Sequence, residues 1–207
     1  MQKLLNGLRI FQRQVFKEKQ ELFHTLSRQQ EPRALFITCS DSRVDPTMLT
    51  QTEPGELFIL RTAGNLIPTY GAAIGGSTAT VEYALSVLNI QDIIICGHTD
   101  CGAMKALLHP ETLEGLPAVK VWLQQAETTQ RIMDDHFTHL SGDELFEATI
   151  KENVIVQLDH LRTHPAVATK LKKENLRLHG WVYSIESGTV WIYDFGKKEF
   201  LELEREI

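Results

Sequence analysis

Short runs of apolar residues alternate along this chain with longer segments in which apolar residues recur every three or four positions. The short runs lie at 34–39, 57–61 and 92–97, and each is bounded by polar or turn-forming residues, as is typical of strands buried in a sheet. The segments at 77–88 and 102–108 have helical spacing. Because strands alternate with helices, the pattern predicts an α/β fold with a mostly parallel central sheet flanked by helices.

Turn-forming and helix-capping residues predict the structure of the segments between and after these strands. Asp45 followed by Pro46 is a helix N-cap with a proline in the first turn, which predicts a short helix ending near Gln51. Residues 71–76 are predicted to form a loop, and residues 117–173 are predicted to be mostly helical.

The two ends of the chain add an arm and a hairpin. Residues 1–31 carry apolar side chains at roughly helical spacing with Lys and Arg between them, which predicts an N-terminal helical arm. The pattern does not decide whether this arm packs on its own domain or on a partner subunit. Residues 180–195 predict a strand, a turn at 186–188 and a returning strand. Without a repeat or a linker, residues 1–207 are expected to form a single domain.

Composition and charge exclude several classes of function. The chain of 207 residues is 43% hydrophobic and 23% charged, as in ordinary globular proteins. Its net charge of -6 argues against nucleic-acid binding, since no basic stripe supplies phosphate contacts. Without an apolar run of ~18 residues or an apolar signal core, we expect a cytoplasmic protein with no membrane span. Its three cysteines do not suggest a disulfide framework.

A histidine and two cysteines form the candidate metal site. Cys39 ends the first predicted strand, His98 follows the third, and Cys101 comes three positions later, where a helix is expected to begin. Two thiolates and one imidazole leave a tetrahedral zinc ion with an open fourth position, as catalytic rather than structural sites require. The amino end of a helix also favours a thiolate at Cys101. The sequence therefore predicts one zinc ion per subunit.

The remaining candidate ligands are weaker. Cys96 competes with the three ligands because it has the same strand parity as His98. However, it lies within an apolar run and has no neighbouring base, so it is predicted to be a packing residue. The other histidines show no ligand spacing and are interpreted as surface or core residues.

Asp41 and Arg43 are the candidate catalytic pair. They follow Cys39 at spacings of two, so all three side chains project the same way if the chain stays extended. Zinc activates its bound water, which predicts a hydration or hydrolysis by zinc-bound hydroxide. We expect Asp41 to orient that nucleophile and Arg43 to hold Asp41 bidentately, with a surface ion pair as the alternative. Asp41 could instead occupy the fourth zinc position at low pH.

Several motifs resemble those of the β-class carbonic anhydrases over nearly the whole chain. They are Cys-Ser-Asp-Ser-Arg-Val from Cys39, Arg-Thr-Ala-Gly-Asn from Arg61, Glu-Tyr-Ala from Glu82 and Gly-His-x-x-Cys-Gly from Gly97. The likeness is greatest to the cyanobacterial carboxysomal branch, through motifs such as Cys-Gly-Ala-Met-Lys from Cys101. The resemblance implies reversible hydration of carbon dioxide to bicarbonate and a proton. It also implies that Cys39, His98 and Cys101 hold the zinc and that Asp41 and Arg43 form the catalytic dyad.

The resemblance implies further roles at four positions. Gln30 would donate a hydrogen bond to the site from the partner subunit, Phe58 and Tyr83 would line the pocket, and the Gly102 N–H would hold a substrate oxygen. The family also implies a homodimer, or a higher assembly of dimers, with exchanged N-terminal arms. The carboxysomal likeness adds the carboxysome as a location and a carboxysome shell or scaffold protein as a partner.

Some positions depart from the family pattern. Phe36 stands where some relatives have a Trp that belongs to an inhibitory bicarbonate site, whereas Arg61 and Tyr183 match that site's other members. This predicts an enzyme without bicarbonate inhibition, whose zinc keeps its open position at neutral pH. Carboxysomal relatives carry a C-terminal extension that does not follow Ile207, which leaves open a shortened chain or a protein outside the carboxysome.

Two alternative functions use the same residues. A carbonyl sulfide or carbon disulfide hydrolase has this fold and site in some relatives, and a narrower pocket entrance would favour it. A non-catalytic zinc-stabilised scaffold or bicarbonate-binding module would be favoured by loss of Asp41 or Arg43, and both are present.

Overall fold

The structure, a computed structural model, describes residues 1–72 and 75–204. The chain divides into two compact units, of which the first is residues 1–31 and the second begins at Pro32. Within the predicted loop 71–76, positions 73 and 74 lie outside the described residues. No helix in the described ranges is both long and apolar enough to cross a membrane.

The arm, residues 1–31, is helical from Gln2 to Leu26 except for a turn at Lys19. Its elements are α1 (Gln2–Ile10), a π-helical segment (Phe11–Val15), α2 (Phe16–Glu18) and α3 (Gln20–Leu26). The predicted helix to residue 31 is therefore too long. The Ser27 hydroxyl donates to the His24 carbonyl at 2.8 Å, and Pro32 disfavours the helical conformation of the residue before it. No residue of the arm is buried.

In the described part of the second unit, the strands form one six-stranded sheet in the order β2-β1-β3-β4-β5-β6. Its strands are β1 (Ala34–Cys39), β2 (Leu57–Thr62), β3 (Asp92–His98), β4 (Arg177–Tyr183), β5 (Val190–Asp194) and β6 (Glu199–Glu202). The first four strands are parallel, while β5 and β6 are added antiparallel. The mostly parallel sheet and the C-terminal hairpin are confirmed, whereas β6 was not predicted.

Helices and short 3₁₀ turns connect and cover the strands. The helices are α4 (Pro46–Thr50), α5 (Gly76–Ser86), α6 (Gly102–Leu108), α7 (Pro117–Leu123), α8 (Glu127–His136), α9 (Gly142–Arg162) and α10 (Pro165–Lys172). The 3₁₀ turns are Ala63–Asn65, Pro110–Leu113 and Gln124–Ala126. Asp45 caps α4 as predicted, because its carboxylate accepts from the N–H groups of Thr47 and Met48.

The core lies mainly between the sheet and α9. A side chain at Gly97 of β3 would place a Cβ 2.9 Å from Val154, so the glycine permits α9 to lie close to the strand. All six residues of β1 are buried, as predicted. The prediction of a buried β2 is wrong for this chain: β2 is an edge strand, and Ile59 is 39% exposed.

Candidate active site

The three predicted metal ligands meet at the carboxyl edge of the parallel sheet. Cys39 is the last residue of β1, His98 is the last residue of the neighbouring β3, and Cys101 is the N-cap of α6. One ligand atom from each lies within 4.8 Å of the others, and all three residues are buried. The topology therefore brings together residues that are 62 positions apart in the sequence, because adjacent parallel strands end at the same edge.

The ring of His98 is oriented for a ligand. Its Nδ1–H donates to the Thr99 carbonyl at 2.8 Å, which fixes the tautomer and leaves the Nε2 lone pair available. This Nε2 atom is buried and has no hydrogen-bond partner. A buried polar atom without a partner is costly, and a metal ion at this point would satisfy it.

The Cys39 and Cys101 sulfurs influence each other's pKa through a hydrogen bond between them. Hydrogen bonding from Cys101 is the main cause that lowers the pKa of Cys39 to about 4, against the opposing effect of burial. The same contact, together with burial, raises the pKa of Cys101. A divalent cation would stabilise both sulfurs as thiolates. Two soft sulfurs and one imidazole in close reach therefore fit zinc.

Arg43 holds Asp41 in the bidentate arrangement that the sequence predicted. Its Nε and Nη2 atoms donate to the two carboxylate oxygens at 3.0 and 2.7 Å, and its backbone N–H donates to Oδ1 at 2.9 Å. These bonds to Arg43 keep the pKa of Asp41 well below its usual range. Asp41 Oδ2 lies 4.0 Å from Nε2 of His98, so the carboxylate stands next to the candidate ligands.

Asp100 binds the side of the Arg43 guanidinium that Asp41 does not reach, and it was not among the predicted site residues. Its carboxylate accepts from Arg43 Nη1 at 2.6 Å, and its carbonyl accepts from Nη2 at 3.1 Å. The Lys105 ammonium contacts the other carboxylate oxygen. Asp100 has a φ of 60°, a left-handed conformation that Asp tolerates better than most residues, in the turn between the candidate ligands His98 and Cys101.

Arg61 fixes the backbone that follows β1. Its Nε donates to the Cys39 carbonyl at 3.0 Å, and its Nη2 donates to the Asp41 carbonyl at 2.6 Å. Phe36 is fully buried, and its ring centroid lies 5.9 Å from that of Trp181. The sequence analysis matched Arg61 to a family motif and to the inhibitory site of some relatives, and in the structure it also orders the loop that carries Asp41 and Arg43.

The four predicted substrate-binding residues lie in different settings. The rings of Phe58 and Tyr83 are stacked with centroids 6.0 Å apart, and Tyr83 is 45% exposed. Gly102 is the exposed first residue of α6, directly after Cys101. Gln30 is an exposed residue of the arm. Their roles toward the substrate stay predictions.

A buried polar face of α9 supports the segment after β2 and was missed in the sequence. The Asn153 amide donates to the Gly64 carbonyl at 3.1 Å, and the Gln157 carbonyl oxygen accepts from the Ile67 N–H at 2.8 Å. Nδ1 of His160 donates to the Ile67 carbonyl at 2.7 Å. Polar residues spaced by three and four on an otherwise apolar helix face were the available signal.

Cys96, the competing candidate ligand, is a packing residue as predicted. It is fully buried in an apolar cluster with Ala34, Phe36 and Ile94, on the face of the sheet where Trp181 also packs. Burial raises the pKa of Cys96 to about 12, so its thiol stays protonated.

Comparisons with known proteins agree with this geometry. The sequence profile of the carbonic anhydrase family matches residues 34–190. The chain is 51% identical over 195 residues to a carbonic anhydrase of Synechocystis sp., covering 94% of this chain and 71% of the relative. It is 48% identical over 203 residues to a carbonic anhydrase of Pseudomonas aeruginosa, covering 98% and 92%.

Solved structures give the same result. The β-carbonic anhydrase CcaA is 49% identical and superposes with a TM-score of 0.96 over 98% of this chain and 99% of that chain. A Coccomyxa β-carbonic anhydrase in complex with acetazolamide is 29% identical, with a TM-score of 0.80 over 91% and 83%. This chain therefore belongs to the β-carbonic anhydrase family of enzymes.

Proposed function

We propose that this protein catalyses the reversible hydration of carbon dioxide to bicarbonate, with one zinc ion held by Cys39, His98 and Cys101. The observation that carries this proposal is the buried, unpartnered Nε2 atom of His98 beside two buried sulfurs. When bound, zinc supplies Lewis-acid activation of water, whose pKa it lowers from ~15.7 toward ~7. The family of the chain supports carbon dioxide as the substrate.

In this proposal Asp41 orients the water that attacks carbon dioxide. Its carboxylate is ionised because Arg43 stabilises the charged form, so it accepts a hydrogen bond from the nucleophile and directs the attacking lone pair at carbon. Three bonds from Arg43 hold the carboxylate in place. The same bonds would hold Asp41 in place when a metal binds, so we expect the carboxylate not to become a metal ligand at neutral pH.

The substrate pocket in this proposal combines apolar walls with a backbone donor. The stacked rings of Phe58 and Tyr83 suit a linear, apolar substrate. The Gly102 N–H would donate to a substrate oxygen at the amino end of α6, and Gln30 of a second subunit would donate from the other side.

An arm-exchanged homodimer is the assembly that this proposal requires. The arm presents apolar side chains to solvent, with Leu4 66%, Leu8 59% and Ile10 53% exposed, and a second copy would cover them. Light scattering on the purified chain should give a dimer or a larger even-numbered oligomer, and a monomer would contradict the assignment. A carboxysomal location stays a prediction.

The test is stopped-flow hydration of carbon dioxide with zinc content measured on the same samples. Cys101→Ala should lose both zinc and activity, whereas the matched variant Cys96→Ala should keep both. Asp41→Asn should retain zinc and lose about 10²-fold or more in turnover, because an orienting group in general acid–base catalysis contributes about that much.

Three results would change the proposal. Activity that survives loss of zinc in Cys101→Ala would overturn the metal assignment. Unchanged turnover in Asp41→Asn would reduce Asp41 to an ion-pair partner of Arg43. Turnover of carbonyl sulfide well above that of carbon dioxide would favour the hydrolase alternative.

A further inference from the structure

The peptide group that joins Ala63 to Gly64 is hydrogen-bonded at both of its ends. Its N–H, from Gly64, donates to the sulfur of Cys39 at 3.3 Å. Its carbonyl, from Ala63, accepts from the indole Nε1–H of Trp122 at 2.9 Å. The indole, the peptide and the sulfur therefore form one continuous chain of donors and acceptors, which we call the Trp122 relay.

Hydrogen bonds in such a chain strengthen one another. A donor on the carbonyl polarises the peptide, which makes its N–H a better donor by about 10–30% per bond. An N–H bond to a thiolate withdraws electron density from the sulfur. A change at Trp122 would therefore reach Cys39 through the peptide group.

The backbone of the relay is fixed by the fold. Gly64 has a φ of 72°, and a Cβ at this position would lie 2.8 Å from the Cβ of Ala103, so a glycine is required. The Gly64 carbonyl is held from the other side by the amide of Asn153 at 3.1 Å. Trp122 lies in α7 and packs against the main apolar core, so its indole is held as well.

We propose that Trp122 is a positioning residue that limits how much electron density the Cys39 thiolate gives to the metal. This inference rests on the proposed metal site. Two thiolates formally neutralise the charge of a divalent cation, which weakens its Lewis acidity toward water. By withdrawing density from one of the two sulfurs, the relay preserves part of that acidity, as surrounding hydrogen bonds do at other metal sites.

The test replaces zinc by cobalt(II) and records the thiolate-to-cobalt charge-transfer band. Trp122→Phe removes the indole N–H, and a benzothienylalanine at position 122 removes it while keeping the two-ring shape. Both variants should show the band at longer wavelength than the wild type, because a sulfur that accepts a weaker hydrogen bond from the Gly64 N–H gives up its electrons more readily. Zinc-loaded samples should lose about 10-fold in turnover, the lower end of the effect of groups that support metal ligands.

The controls separate the relay from the metal site. Trp191→Phe changes a tryptophan of β5 outside the site and should leave the band in place. A wild-type protein without any thiolate-to-cobalt band would overturn the metal site and the relay together. A band that stays in place in the folded benzothienylalanine variant would overturn the relay alone, and a fall in melting temperature without a shift would show that Trp122 only packs.

Discussion

Two arginine–carboxylate clusters lie at opposite ends of the parallel strands, one at the amino ends and one at the carboxyl ends. Only the second cluster belongs to the candidate site. At the amino ends of β3 and β4, Arg177 donates to both oxygens of Asp92 at 2.7 and 2.6 Å, and His179 lies 2.8 Å from the same carboxylate. At the carboxyl ends, Arg43 makes the same bidentate contact with Asp41.

The difference between the two clusters is the state of the histidine. Nε2 of His179 is hydrogen-bonded to Asp92, so the charged groups at the amino ends of the strands find their partners within the cluster. His98 is fully buried and has no partner at Nε2, with two sulfurs beside it. An ion pair beside a histidine is therefore not sufficient to indicate a site, whereas a buried imidazole nitrogen without a hydrogen-bond partner, beside two buried sulfurs, is.

The largest effect expected from this comparison is on zinc. His98→Asn should lose bound zinc and carbon dioxide hydration down to the level of buffer, because the ligand set falls to two sulfurs. His179→Asn, the matched variant at the other edge, should keep both. Zinc content and stopped-flow rates on the two variants measure this, and equal losses in both would contradict the distinction.

A smaller effect is expected where Asp100 supports Arg43. Asp100→Asn should lower turnover about fivefold with zinc content unchanged, since an exposed ion pair contributes up to about 1 kcal/mol. Asp92→Asn removes the corresponding charge at the amino ends of the strands and should leave turnover as in the wild type. If Asp100→Asn turned over like the wild type, Asp100 would have no part in orienting Arg43.

The smallest expected effect is on stability against acid. The bonds from Arg177, followed by His179, lower the pKa of Asp92, so its charged form is favoured in the folded state. This stabilisation is under about 1 kcal/mol, because the site is partly exposed. It is fully present when the pH lies above the unfolded-state pKa of ~3.9, and it is lost as the pH falls through the lower pKa of the folded state.

Urea unfolding of the metal-free wild type and Asp92→Asn at pH 6 and pH 3 measures this term. The stability gap between the two proteins should narrow at pH 3, because Asn carries no charge to protonate. A stability gap of equal size at both pH values would show that the pKa of Asp92 is the same in the folded and unfolded states.

The ends of the strands could be predicted from the sequence, because local signals determine them. Cys39 and His98 close short apolar runs, Asp45 has the side chain of an N-cap, and Cys101 precedes a glycine where a helix begins. These signals span only a few positions, and they were enough to bring the three ligands to one edge of the sheet.

Contacts between distant segments could not be predicted in the same way. The bond from Trp122 to the Ala63 carbonyl spans 59 positions, and Arg43 reaches Asp100 across 57. No periodicity encodes such pairs, since they depend on which loops the finished sheet places side by side. The exposure of β2 was missed for the same reason, because strand order decides which run becomes an edge.

X-ray absorption at the zinc edge of the active enzyme tests the central claim most directly. We expect two sulfur neighbours at ~2.3 Å and two lighter neighbours at ~2.0–2.1 Å, from the imidazole and from solvent in the fourth position. A zinc shell without sulfur, or a disulfide between Cys39 and Cys101 in protein that still hydrates carbon dioxide, would contradict the account.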